Sequence, residues 1–207
     1  MKTARSFLII CFLSSFFALQ AQDFPSEIWH EGKIVLLEGD TLRGLVKYNL
    51  ESDLIQYSGN KKTIKAYTGR KLLFFEIYDE TVERYRQFFS IPYSLNGDYK
   101  VPIMFEVLVR GDELSLLCRE AIEYQVRSYP YSMGGTYSSY VLVYTYYFMS
   151  PDGTIAKFSG KKKDLLYIMK EKHSEMKKYI KENKIDVDKR SDLAKALIYY
   201  NSLFDKT

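Results

Sequence analysis

KIVLLEGDTLRGLVKY, residues 33–48, is two apolar runs parted by Glu38-Gly39-Asp40-Thr41. Glycine at the first central position of a two-residue loop fits a type II′ turn, whose twist matches that of the strands it joins. The stretch therefore reads as a β-hairpin. The same pattern returns at Arg110-Gly111-Asp112-Glu113, between Phe105–Val109 and Leu114–Cys118, and YYFMSPDGTIAKF turns at Pro151-Asp152-Gly153. Between the first two hairpins lie short runs at 54–58, 63–67, 72–79 and 83–90, punctuated by Gly59-Asn60 and Asp79-Glu80. Short strands at this spacing predict an antiparallel meander.

After Gly160 the period changes. Leu165, Leu166, Met169, Met176, Tyr179 and Ile180 recur at helical spacing among lysines and glutamates. Leu193, Ala196, Leu197, Tyr200 and Phe204 do so again behind Asp188 or Ser191, both N-cap residue types. KENKIDVD, 181–188, joins the two amphipathic helices, whose Met and Leu stripes are read as core. The expected fold class is α+β: a mainly antiparallel meander of about nine or ten strands, curled or sandwich-like, with a C-terminal helical pair. Residues 22–160 form the β region and 161–207 a helical hairpin packed on it. No Gly/Ser/Pro-rich linker separates them, so they are expected to fold as one domain.

The N-terminus has a basic start, Lys2 and Arg5, then an apolar run from Phe7 to Leu19, too short to span a bilayer comfortably. Residues 1–21 read as a secretory signal peptide cleaved after Ala21. Cys11 does not make a lipobox, because Ile10 stands where a small residue is needed. Cleavage leaves Cys118 as the one cysteine of the mature chain, which excludes an internal disulfide. Without Lys2 and Arg5 the chain's formal net charge falls from +4 to +2, too little for a dedicated nucleic-acid binder, and export argues the same way. The excess is local: residues 161–190 hold 11 basic against 6 acidic side chains. That segment reads first as a lysine-rich solvent face; the sharper readings are weak contact with an anionic membrane surface or envelope glycan, and docking to an acidic partner.

Chemical motifs are sparse. His30 and His173 lie far apart and outside any metal-ligand spacing, and His30 is expected to pack the first strand with Trp29. Ser159-Gly160-Lys161 ends like a phosphate-binding loop, but Ile155 replaces the required glycine and Lys162 the Ser or Thr. No G-x-S-x-G elbow is present. Neither a metal nor another cofactor is expected. Glu76, Asp79, Glu80, Glu83, Glu106, Glu120 and Glu123 are the available general acids and bases, although alternate charges on strands usually mark a solvent face. Cys118 alternates with Leu116 and reads as a buried, inert thiol.

The loudest composition is SYPYSMGGTYSSYVLVYTYYFM, 128–149. From Tyr140 onward both parities are apolar, as in a strand covered on both sides or one with an exposed aromatic face. Upstream, Tyr129, Tyr131, Met133 and Tyr137 surround Gly134-Gly135 and read as a mobile hairpin tip with the residue types of a partner-binding surface.

GKIVLLEGDTLRG (32–44), FEVLVRGDELSLL (105–117), YYFMSPDG (146–153) and YYNSL (199–203), behind a signal peptide, together resemble a group of small exported proteins of Bacteroidetes-type bacteria. The resemblance implies an envelope or extracellular setting and assigns no catalytic residue. The expected function is a non-enzymatic binding or structural module of the cell envelope, its partner an envelope protein or glycan. The alternatives are a small glycan hydrolase using paired sheet carboxylates and a carrier holding an apolar ligand inside a curled sheet.

Overall fold

The computed structural model describes residues 24–94, 97, 99–128 and 134–204. Its strands are β1 (His30–Leu36), β2 (Thr41–Asn49), β3 (Leu54–Ser58), β4 (Lys65–Thr68), β5 (Leu72–Asp79), β6 (Arg84–Tyr93), β7 (Val101–Val109), β8 (Ser115–Ser128), β9 (Thr136–Met149) and β10 (Ile155–Lys157). They form one antiparallel sheet in the order β10-β9-β8-β7-β6-β5-β1-β2-β3-β4. Two meanders, β1–β4 and β5–β10, are thus sewn together along β1 and β5, and β4 and β10 remain as edges.

The turns differ from the sequence expectation in an instructive way. Gly39 N–H donates to Leu36 O at 3.0 Å, Leu36 N–H to Asp40 O at 2.9 Å, and Gly39 sits at φ +99°. This is a three-residue loop, a type I turn closed by a left-handed glycine, and not a two-residue type II′ turn. Ser150–Thr154 repeats it, with Gly153 at φ +79°. The Gly111 turn is not a third copy. Gly111 is outside the left-handed region, and a Cβ there would lie 2.3 Å from Asn201 Nδ2. Asn201 reaches in from the last helix to accept the Glu113 and Leu114 N–H groups at 3.0 Å each and to donate to Leu114 O. The glycine there makes room for a tertiary contact.

The expected helical pair is three helices: α1 (Lys162–Ile168), α2 (His173–Glu182) and α3 (Arg190–Ser202), with a 3-10 turn at Lys170–Lys172 between the first two. The chain bends at Met169, whose N–H closes back on Leu165 O, and Leu165, Met169 and Met176 are all fully buried. Neither Asp188 nor Ser191 caps α3. The cap position is Lys189, and Asp192 instead turns back to accept the Asp186 N–H.

Apolar side chains gather in three clusters. Ile34, Val46, Tyr48, Ile55, Leu72, Phe75, Ile77, Phe88 and Met104 fill the inside of the first half of the sheet. Leu114, Leu116 and Phe148 meet the helices on the same face further along. Ile103, Phe105, Leu117 and Tyr147 cover the reverse face of β7–β9.

The sheet is strongly curled but not closed. Tyr48 on β2 bonds Glu120 on β8 at 2.5 Å, although five ladder spacings separate the two strands in the sheet order. A flat sheet would hold them roughly 24 Å apart at about 4.8 Å per spacing. A second clasp fixes the roll. The β7–β8 ladder ends at Glu106↔Cys118, and beyond it Met104 N–H donates to Asp53 in the β2–β3 turn while Met104 O accepts from Arg119. Arg119 also pairs with Asp53 at 2.9 Å and reaches Leu50 O. An ion pair from distant segments therefore satisfies backbone groups that a neighbouring strand would otherwise take.

Candidate functional site

Strand parity brings five polar side chains together inside the curl. Asp79 shares a face with Phe75 and Ile77, Arg86 with Phe88, Glu106 with Met104, Glu120 with Leu116 and Cys118, and Tyr48 with Val46. All five are buried. Arg86 is the hub: Nε donates to Glu106 Oε1 (3.1 Å), Nη1 to Tyr48 Oη and Asp79 Oδ2 (2.9 Å each), and Nη2 to Glu106 Oε2 and Glu120 Oε2 (2.7 Å each). Every N–H of the guanidinium fork is used. Its flat face lies over the Phe88 ring, 5.0 Å from the centroid.

These contacts set the protonation states. Burial pushes the Glu106 carboxyl up, but hydrogen bonds and charge from Arg86, with Arg190 beyond, outweigh it and hold the group below the usual carboxylate range. At Asp79, burial is likewise outweighed by hydrogen bonds from Thr81 and Arg86. Burial alone would make Arg86 easier to deprotonate. The surrounding acids reverse that, so it stays charged.

Above this cluster lies a cleft of about 660 Å³ between β6, β7 and the start of α3. Arg84, Lys189 and Arg190 line it beside Gln87 and Ser191, and Glu106 supplies the carboxylate on its wall. That carboxylate is occupied, since Arg86 grips it from below and Arg190 bonds its Oε1 from the cleft side. Arg190 is held in turn over the Tyr144 ring, 5.9 Å from the centroid. Arg84 comes no closer than 4.0 Å to Glu106, beyond hydrogen-bond reach, and its half-exposed fork is left facing the cleft. The first turn of α3, which has no side-chain cap and carries Asp192 as its acidic residue, borders the cleft through Arg190 and Ser191 and brings the positive end of a helix dipole near it. The cleft thus offers cations and donors to an anion, with its wall carboxylate already neutralised.

Among the residues expected to bind a partner, Tyr129, Tyr131 and Met133 lie outside the described residues. Tyr137 is on β9, opposite Arg127 and 38% exposed, so this member of the expected hairpin tip belongs to a paired strand. Of the seven candidate carboxylates, Asp79, Glu106 and Glu120 converge on Arg86. They correct the reading of such charges as a solvent face. Glu76 lies on the opposite face of the sheet, paired with Lys33 at 2.9 Å, and Glu80, Glu83 and Glu123 are exposed and apart from the cluster. Cys118 is buried, and burial, with Glu106 next, pushes its thiol well above the ordinary value. His30 is buried against Tyr48 with Nε2 2.6 Å from Pro25 O, whereas Trp29 is exposed, so the expected His30–Trp29 packing is replaced by these contacts. No group of three or more His, Cys, Asp or Glu among the described residues is placed to hold a metal ion. No helix among them is long and apolar enough to cross a membrane.

Arg84, Arg86, Lys189 and Arg190 were not singled out from the sequence. For Arg86 and Arg84 a signal existed, charges on the same parity as Phe88, whereas Lys189 and Arg190 acquire a role only through the tertiary approach of α3 to β6 and β7. Comparison with protein families, curated proteins and solved structures finds no match to this chain.

Proposed function

We propose that this protein is an exported, non-enzymatic binding module of the bacterial cell envelope, and that the cleft over Glu106 recognises the carboxylate or phosphate groups of an acidic envelope glycan. The observation that carries this reading is the convergence of Arg84, Lys189 and Arg190 on one cleft whose carboxylate is already paired. Guanidinium forks match planar or tetrahedral oxyanions, and the positive end of a helix dipole favours the same charge. Export rests on the N-terminal reading of residues 1–21 and on the resemblance described above.

The same arrangement disfavours the hydrolase alternative. A glycosidase needs one carboxyl held protonated near neutral pH, with its partner across a gap large enough for a sugar bond. Here Glu106 and Asp79 are pushed down rather than up, and Arg86 fills the space between the carboxylates. The carrier alternative fares no better, since the inside of the curl is packed with Phe75, Phe88, Tyr48 and Ile34.

Isothermal titration against galacturonate oligomers, neutral galactose oligomers and inorganic phosphate tests the proposal. The acidic probes should bind, and their affinity should fall steeply as salt rises. Arg84→Gln with Lys189→Gln should weaken binding roughly tenfold or more, about 1.4 kcal/mol, without changing the melting temperature. Equal binding of the neutral oligomers, or release of reducing ends from either, would sink it.

A further inference from the structure

We propose that two copies of this chain pair edge to edge through β9, forming a continuous antiparallel sheet about a two-fold axis at Tyr140. The proposal stands independently of the cleft. β8 and β9 are each 14 residues long and pair from Ser115↔Met149 to Ser128↔Thr136 without a register shift. Their neighbours are much shorter. β7 leaves β8 beyond Glu106↔Cys118, and β10 covers β9 only at Tyr147–Met149. The outer part of the hairpin is therefore a two-stranded ribbon to which no other described strand is paired, a form of marginal stability by itself.

The two edges of the ribbon are not alike. The β8 edge carries Glu123 and Arg127, the charged residues that guard an edge against pairing. From Thr136 to Thr145 β9 has no charged residue, no proline and no glycine. The parity of its free edge follows from one contact: Phe158 N–H donates to Tyr146 O on the β10 side at 2.9 Å. Because N–H and C=O of one strand residue point the same way, Tyr144, Leu142, Tyr140, Ser138 and Thr136 direct theirs to the open edge. These positions are symmetric about Tyr140.

An antiparallel second copy in the register Tyr140↔Tyr140 therefore sets Ser138 opposite Leu142 and Thr136 opposite Tyr144, twice over. The edge-directed backbone groups of Ser138, Tyr140 and Leu142 then find partners and no charge meets a like charge, while Phe158, Ser159, Gly160 and Asp188, which line a space with Tyr144, bound the seam at that end. A two-fold perpendicular to the sheet also keeps the same face upward in both copies. The exposed stripe of Tyr124, Val126 and Tyr140, with Tyr124 and Tyr140 rings 5.4 Å apart, then lies beside its counterpart. This widens one apolar face across four strands instead of leaving it on two.

Sedimentation equilibrium on the chain as its host processes it, from low to high micromolar concentration, should give twice the mass of one chain. Ser138→Pro removes an outward N–H without touching the β8 ladder, and it should give a monomer with an unchanged far-ultraviolet spectrum. Tyr140→Cys should form a self-disulfide on mild oxidation, since directly opposed residues lie within disulfide reach, while Tyr124→Cys on the inner strand should not. A monomer at every concentration, or a Tyr140→Cys chain that does not cross-link, overturns the proposal. The second result stands even if another envelope protein's strand is found on the edge.

Discussion

At the scale of single residues the molecule is organised by Arg86. Replacing it with Met removes the cation shared by Asp79, Glu106 and Glu120 and leaves Asp79 and Glu120 with only neutral donors, Thr81 and Tyr48, and Glu106 with Arg190 alone. Breaking a buried pair from one side costs about 3–5 kcal/mol, and chemical denaturation of Arg86→Met should show a loss of that size. The pH dependence has a definite sign. Asp79 and Glu106 have folded values below the unfolded ones, so their stabilisation is complete above roughly pH 4 and is lost as pH falls through the folded values. Denaturation midpoints of the wild type should be flat near neutrality and drop in acid. Arg86→Met should reverse that slope, gaining stability as its unpaired carboxylates take up protons. Cys118, buried with its thiol pushed up, should react with thiol reagents only at the rate of unfolding.

At the scale of elements, a strand can be right while its ends and its faces are not. Runs 54–58 and 72–79 match β3 and β5 residue for residue, because turn residues bracket an apolar alternation. β8 and β9 outrun their apolar segments because they support each other as a ribbon, and cross-strand pairing is invisible along one chain. The same limit divides the tyrosines of β9. Tyr147 is buried against Phe105 and Tyr93, whereas Tyr144 is 41% exposed and lies under Arg190. Tyr147→Ala should cost about 3 kcal/mol or more by the midpoint of urea unfolding, and Tyr144→Ala less than half of that. Asn201→Ala should cost about 1–3 kcal/mol, since it strands the N–H groups of the Gly111 turn, and Asn201→Asp, which keeps the acceptor, should recover part of it.

At the scale of the whole molecule, the fold class and the strand number were legible, since ten short runs with turn signals leave little room for another architecture. The curl was legible only as one of two alternatives. What decides it is a pair of long-range clasps, Tyr48 to Glu120 and Asp53 to Arg119, whose members lie 72 and 66 residues apart. The candidate site was half legible. Parity puts Asp79, Glu106 and Glu120 on inward faces, since each alternates with buried apolar residues in FFEIYD, MFEVLV and LLCRE, whereas strand charges more often mark a solvent face. Lys189 and Arg190 were not legible, because nothing in the chain tells which surface α3 docks against. The acids are locked in a structural cluster, whereas Arg84 faces the cleft unbonded to Glu106, and Arg190 and Lys189 border it from exposed or half-buried pairs with Glu106 and Asp186. Nitrogen-15 NMR of the arginine Nε–Hε groups, titrated with galacturonate oligomers at low salt, tests this division most directly. The Arg84 and Arg190 resonances should shift and saturate together while that of Arg86 stays in place. Shifts at Arg86 with product sugars appearing, or no shift at Arg84 and Arg190, would contradict it.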